Sequence, residues 1–143
     1  MAAADTLAKV ELFSELPSAD LGRLARFAMV RNFKTGDVIV NEGELGIGFY
    51  VIASGRVEVI KGMGSAREKV LTKLGPDDFF GEMALLDSSR RSASVRAIED
   101  VSCLVLTRWD FNAEVNRPSS RIALSLVPIL ARRIRRLEDA PSH

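Results

Sequence analysis

In the stretch FFGEMALLDSSRRSASV, residues 79 to 95, a glutamate follows a glycine at Glu82, and a guanidinium follows at Arg91. Two opposite charges so placed serve either each other or a third party. GEMALL runs from a glycine into a short helix-forming segment, so backbone N–H groups near Met83 and Ala84 are expected to lack intrahelical acceptors and to suit an anion. A loop that brings Arg91 back beside those amides would offer a planar fork of donors matched to two phosphate oxygens, and Ser92 would add a hydroxyl. The carboxylate of Glu82 would be repelled by that phosphate unless it faced hydroxyl donors such as those of a ribose. Together these groups describe a site for a nucleotide monophosphate; the bland alternative is that Glu82 and Arg91 simply pair with each other.

The surrounding elements must hold these groups together. PSADLGRLARFAMV places Leu21, Leu24, Ala25 and Ala28 at helical spacing, with Ser18 as the expected N-cap. From Gly36 the period becomes two, and β-prone runs follow at 38–40, 49–52, 56–60, 69–74, 92–97 and 101–106. Such spacing predicts an antiparallel sandwich or barrel. Ser54 and Gly55 are expected to turn a hairpin, and KGMGSAR makes a looser connection. The helical period returns in TRWDFNAEV and again in PSSRIALSLVPILARRIRRLE. Pro118 is expected to open that last helix, and Pro128 to kink it by removing a bond to Leu124. The non-periodic segment 75–91 interrupts the β region, and both Glu82 and Arg91 fall within it.

The 143 residues suit a single domain. Twenty Lys and Arg oppose 19 Asp and Glu, so net charge gives no reason to expect a polyanionic partner. The lone Cys103, in VSCLVL, has no partner for an internal disulfide and reads as a small buried hydrophobe. Without a leader-like start or an apolar run of about 18 residues, the chain is expected to be cytoplasmic, with no membrane contact.

The segment resembles the phosphate-binding cassette of the cyclic-nucleotide-binding domain family. Phe80, Gly81 and Glu82, the small apolar run Met83 to Leu86, then Arg91, Ser92, Ala93, Ser94 and Val95 follow the family's pattern at its spacing. LFSELPSADL, FKTGDVIVNEGE, FYVIASGRVEV and RWDF extend the resemblance over nearly the whole chain. It implies a mainly β fold, a β-roll of the double-stranded jelly-roll type with an N-terminal helical segment (1–35), the roll itself (36–107, cassette 79–95), two C-terminal helices (108–138) and a short tail (139–143). It also implies that Glu82 and the Gly81 backbone hold the ribose 2′-hydroxyl, and that Arg91, Ser92 and the Ala84 and Leu85 amides take the cyclic phosphate, with Met83 and Ala93 beside them. Asp77 stands where the family often has glycine, and Ile47 and Gly48 replace acidic or polar residues.

The resemblance implies a non-enzymatic sensor that needs no cofactor and binds cyclic AMP in preference to cyclic GMP; serine after the phosphate arginine also occurs in bacterial cyclic-AMP regulators. Its output would pass to a protein partner, for which this sequence has no DNA-reading motif. A domain with a vestigial pocket and a fragment of a larger transcription regulator are the alternatives. A stripe of Ile122, Leu126, Leu130 and Leu137 suggests that the last helix covers the base, with Leu130, Arg133 and Ile134 as candidate lid contacts and with pairing of two copies through this helix. The half beyond Pro128 is expected to be mobile without ligand and ordered with it. Arg90 is expected to be exposed and unpartnered, Trp109 to lie in the core, and Arg132 to Arg136 to form a solvated face, with lid contact as the alternative. The sole histidine, His143, offers neither a metal cluster nor a catalytic triad.

Overall fold

A computed structural model describes residues 3–87 and 89–139. Helix α1 (Ala3–Ala8), a 3-10 turn (Glu11–Phe13) and α2 (Ser18–Phe27) precede eight strands, β1 (Met29–Phe33), β2 (Val38–Val40), β3 (Gly48–Ser54), β4 (Val57–Lys61), β5 (Lys69–Leu74), β6 (Phe79–Phe80), β7 (Ser94–Ala97) and β8 (Val101–Thr107). A second 3-10 turn (Glu82–Leu85) separates β6 from β7, and α3 (Arg108–Val115) and α4 (Ile122–Asp139) close the order. The strands form two antiparallel four-stranded sheets, ordered β1-β8-β3-β6 and β2-β7-β4-β5. This is the mainly β roll with flanking helices that the resemblance implies.

The central strands of the first sheet, β3 and β8, are buried on both faces. Phe49 and Val51 of β3, with Leu104 and Leu106 of β8, meet the helices in one core that also holds Phe13, Leu24, Phe111, Ile122, Leu126 and Ile129. Tyr50, Ile52, Cys103 and Val105, the alternate residues, meet Val57, Val95 and Ala97 between the sheets. Strands apolar on both sides read as near-continuous hydrophobic runs, and FYVI and VSCLVL are such runs. Cys103 is fully buried, and burial pushes its thiol pKa up to about 11, so it is a packing residue.

Several local expectations are corrected. Ser54 and Gly55 do not turn a hairpin: β3 and β4 belong to different sheets, so Gly55, at φ +87°, turns a corner where a Cβ would strike the Asp100 carbonyl. Ser18 is the first residue of α2, whose N-cap is Pro17 without a side-chain bond. α4 begins at Ile122, so Pro118 lies in the preceding turn, while Pro128 falls inside the helix as expected. Trp109 is 61% exposed, because α3 turns Phe111 and Glu114 inward instead. Asp77 has φ +72°, the left-handed conformation that glycine adopts freely.

Candidate functional site

The cassette is anchored at its start by aromatic pairing. Phe79 and Phe80 pair with Val51 and Tyr50 of β3. Phe79 meets Phe49 edge-on at 5.8 Å on the helix side, and Phe80 stacks on Tyr50 at 4.8 Å between the sheets. Gly81 follows at φ +81°, and a Cβ there would strike the Arg91 guanidinium and the Gly48 carbonyl, so this turn requires glycine. Ala84 and Leu85 bury the inner side of the 3-10 turn.

The arm carrying Arg91 is laced to the loop between β2 and β3. The Arg91 amide donates to Glu44 O at 2.7 Å, the Gly43 amide to Arg91 O at 2.9 Å, and the Gly46 amide to Ser89 O at 3.3 Å. The Glu42 amide donates to Ser94 Oγ at 2.9 Å. Gly46 must be small, since a Cβ would come within 3.0 Å of Ala84 Cβ and 3.2 Å of Arg91 Nε.

Within this frame Arg91 is half-buried. Its Nη2 donates to Gly48 O at 2.6 Å and its Cζ lies 6.0 Å from the centre of the Tyr50 ring. Burial pushes its pKa below the ordinary value, only partly countered by Tyr50, yet a guanidinium stays charged at neutral pH. Among the described residues no carboxylate pairs with it. Ile47 and Gly48 stand where the resemblance expects acidic or polar groups, and the Gly48 carbonyl serves instead. The bland alternative, a Glu82–Arg91 pair, is therefore not what the structure contains.

Glu82 pairs with the last helix. Its Oε1 lies 3.4 Å from Arg133 Nη1, while Arg133 Nε lies 3.7 Å from Glu11. Burial raises the Glu82 pKa above the carboxylate norm and Arg133 opposes the rise. Arg132 pairs with Glu15 at 2.8 Å and Arg136 with Glu11 at 3.0 Å. The basic run is thus not merely a solvated face: three of its arginines clamp α4 to the N-terminal helical segment, and one reaches the cassette.

A cavity of about 230 Å³ opens over these groups. Gly81, Glu82, Met83, Ala84, Arg91, Ser92 and Ala93 line it, as the sequence suggests. Leu85 does not; it is 1% exposed and anchors the turn in the helix-side core. Nor is the Ala84 amide free, because it donates to Gly81 O at 3.1 Å within the 3-10 turn. Leu130 packs on the helix-side core, Arg133 reaches Glu82, and Ile134 is 57% exposed; none of the three borders the cavity. The buried stripe of α4 is Ile122, Leu126 and Ile129, and Leu137 points to solvent at 78% exposure. His143 lies outside the described residues.

Sequence reasoning missed Val40, Gly46, Val59, Phe80, Ser89, Arg90 and Val95 as lining residues. The valines carry a signal in the alternation of their strands, whereas Gly46 becomes visible only once its neighbours are placed. Arg90 is exposed as expected but not unpartnered: its Nη1 donates to Gly43 O at 2.8 Å. Chemically, the lining offers an unneutralised guanidinium, a hydroxyl and a carboxylate, with valines and Met83 among its apolar residues.

The profile of a family described as a cyclic nucleotide-binding domain matches residues 30–117. The chain is 37% identical over 124 residues to the cyclic AMP receptor protein of Thermus thermophilus, covering 87% of this chain and 57% of that one. It is 36% identical over 111 residues to human cGMP-dependent protein kinase 2, covering 76% of this chain and 15% of the kinase. Both relatives are thus longer than the part matched. The crystal structure of the N-terminal domain of a transcriptional regulator from Streptomyces coelicolor superimposes with a TM-score of 0.83 at 31% identity, covering 97% of this chain and 99% of that one.

Proposed function

The chain belongs to the cyclic nucleotide-binding domain family, and on that premise we propose that it is a sensor whose cavity takes cyclic AMP in preference to cyclic GMP and whose last helix reports occupancy. The observation that carries this reading is Arg91, a half-buried guanidinium facing a cavity with no acidic partner among the described residues. A desolvated cation is costly until an anion meets it, and a cyclic phosphate supplies the anion. Ser92 adds a donor, and the valines with Met83 offer apolar surface to the base. The name of the Thermus relative supports cyclic AMP, and that of the human kinase keeps cyclic GMP as the competitor.

The Glu82–Arg133 contact supports the relay. A ribose hydroxyl on Glu82 competes with Arg133 for the same carboxylate, so occupancy shifts the balance of ion pairs that hold α4 to Glu82, Glu11 and Glu15. The output passes to a protein partner or a further domain. Leu124, Val127 and Ile134 leave an exposed apolar face on α4 at three- and seven-residue steps, which would suit a second copy of the chain. No helix among the described residues is long and apolar enough to cross a membrane. Calorimetric titration with both nucleotides tests the reading: cyclic AMP is expected to bind more tightly, equal or reversed affinities overturn the preference, and no heat from either makes the pocket vestigial.

A further inference from the structure

Lys61 ends β4 and does not border the cavity, yet its ammonium reaches the cassette. Nζ donates to the Ser92 carbonyl at 2.8 Å and lies 3.3 Å from the Glu42 carboxylate. Glu42 is itself held from both ends: its Oε1 accepts from the Gly62 amide at 2.9 Å, and its own amide donates to Ser94 Oγ at 2.9 Å. The Gly62 bond, with help from Lys61, keeps the Glu42 carboxyl below its usual pKa, so Glu42 stays a carboxylate at neutral pH.

Across the hairpin Lys61 faces Lys69. Like charges opposite one another on a ladder are unfavourable, so β5 gives Lys61 no electrostatic reason to stand here. An exposed lysine pair is ordinarily worth little. This one differs because the carbonyl it grips belongs to Ser92, which lines the cavity together with Arg91.

We propose that Lys61, steadied by Glu42, is a positioning residue for Ser92, fixing its carbonyl so that its hydroxyl meets the phosphate of a bound nucleotide. The inference rests on the nucleotide reading above. It places a determinant of affinity some 30 residues before Ser92, at a position that does not itself border the cavity.

Calorimetry with cyclic AMP tests it. Lys61→Met, which keeps the apolar stem, is expected to weaken binding about tenfold, and Lys61→Arg to come back within about threefold of the parent. Lys69→Met removes a neighbouring charge and is expected to leave affinity unchanged. On a Ser92→Ala background, Lys61→Met is expected to add less than about a twofold loss, because residues acting through one another are not additive. Parental affinity in Lys61→Met, an equal loss in Lys69→Met, or a full tenfold loss on the Ser92→Ala background each overturns the proposal. If Lys61→Met fails to fold, Lys61→Arg and Glu42→Gln carry the test, the latter expected to lose about threefold and refuting the idea if it loses nothing. Failure of the parent itself to bind any cyclic nucleotide sinks the reading of the cavity and this inference with it, whereas a parent that binds beside an indifferent Lys61→Met sinks the inference alone.

Discussion

Arg91→Ala separates a binding arginine from a structural one. In the free protein the side chain makes one hydrogen bond, to Gly48 O at 2.6 Å, and meets no carboxylate among the described residues. Losing a charge-assisted bond costs about 1.5 to 3 kcal/mol, but removing a half-buried unpaired charge recovers a desolvation penalty of similar size. The two offset, so the melting temperature of the free variant should stay within a few degrees of the parent. With a phosphate on the guanidinium the balance differs, because removing one partner of a desolvated pair costs roughly 3 to 5 kcal/mol, or about two to four decades in affinity. At a ligand concentration of about 100 times the parental Kd, the parent gains about 2.7 kcal/mol of stability, a rise on the order of 10 °C. The variant at that concentration gains at most about 0.4 kcal/mol, a degree or two. Differential scanning fluorimetry with cyclic AMP reads both quantities. A variant that keeps most of the ligand-induced rise would show that the phosphate lies elsewhere, and one that unfolds unaided would show that Arg91 is structural.

Glu82→Gln should weaken cyclic AMP by about 1 to 2 kcal/mol, since an amide oxygen still accepts from a hydroxyl; in the parent a 2′-deoxy nucleotide should bind correspondingly worse, and equal binding would remove Glu82 from the ribose. The same carboxyl has a folded pKa above its unfolded value of about 4.5, so its protonated form favours folding and the contribution fades as pH rises through the raised value. The melting temperature of Glu82→Gln without ligand should therefore match the parent below about pH 4 and exceed it at neutral pH, and a variant less stable at neutral pH would contradict the burial argument. Gly81→Ala, with φ +81° and a Cβ against Arg91, should lose more affinity than stability, while Gly64→Ala, at φ +82° with nothing within 4 Å, should lose stability alone; similar affinity losses in both would mean that only strain is at work. Hydrogen exchange on adding cyclic AMP should change over residues 129–137 as well as 81–92, and a response confined to the cassette would leave α4 out of the relay.

What the sequence made legible follows from what periodicity reports. β2 and β5 are found at their observed bounds, and β3, β4, β7 and β8 within two residues at either end, because β-prone runs bounded by turn residues mark strands, even β5, which is exposed over Lys69 to Lys73. β1 was missed: Met29 to Asn32 are all exposed, so MVRNF follows no burial period. β6 is two residues long and is defined by pairing with Tyr50 and Val51, which no local pattern encodes. At the site, motif spacing found seven lining residues, since the chemistry of an anion fixes residue types locally. The placement of the Leu85 side chain was not legible, because an apolar residue in a short turn can face cavity or core and only the docking of the turn on the helix-side core decides it. Arg133 was named as a lid contact for the base; its meeting with the Glu82 carboxylate was not legible, because it depends on how α4 lies against the N-terminal segment.

The two charged groups Arg91 and Glu82 of the cavity lining stand in opposite electrostatic conditions, and on the proposed reading that asymmetry links binding to movement. At Arg91 the protein withholds a counter-ion: among the described residues the guanidinium meets the Gly48 carbonyl and no carboxylate, so on the proposed reading an incoming phosphate meets a cation with its charge unspent. At Glu82 the protein supplies a counter-ion from α4 through Arg133, which also leans on Glu11. On the proposed reading a phosphate can therefore bind without displacing anything, whereas a ribose must contend with Arg133. The phosphate end then supplies affinity and the sugar end supplies coupling, so the two should be separable by mutation. Arg133→Met should leave the dependence of affinity on Arg91 intact, raise affinity for cyclic AMP by freeing Glu82, and abolish the exchange response in residues 129–137. An Arg133→Met variant that binds no better than the parent yet still transmits the change to α4 would show that the coupling runs through the packed face of Ile122, Leu126 and Ile129.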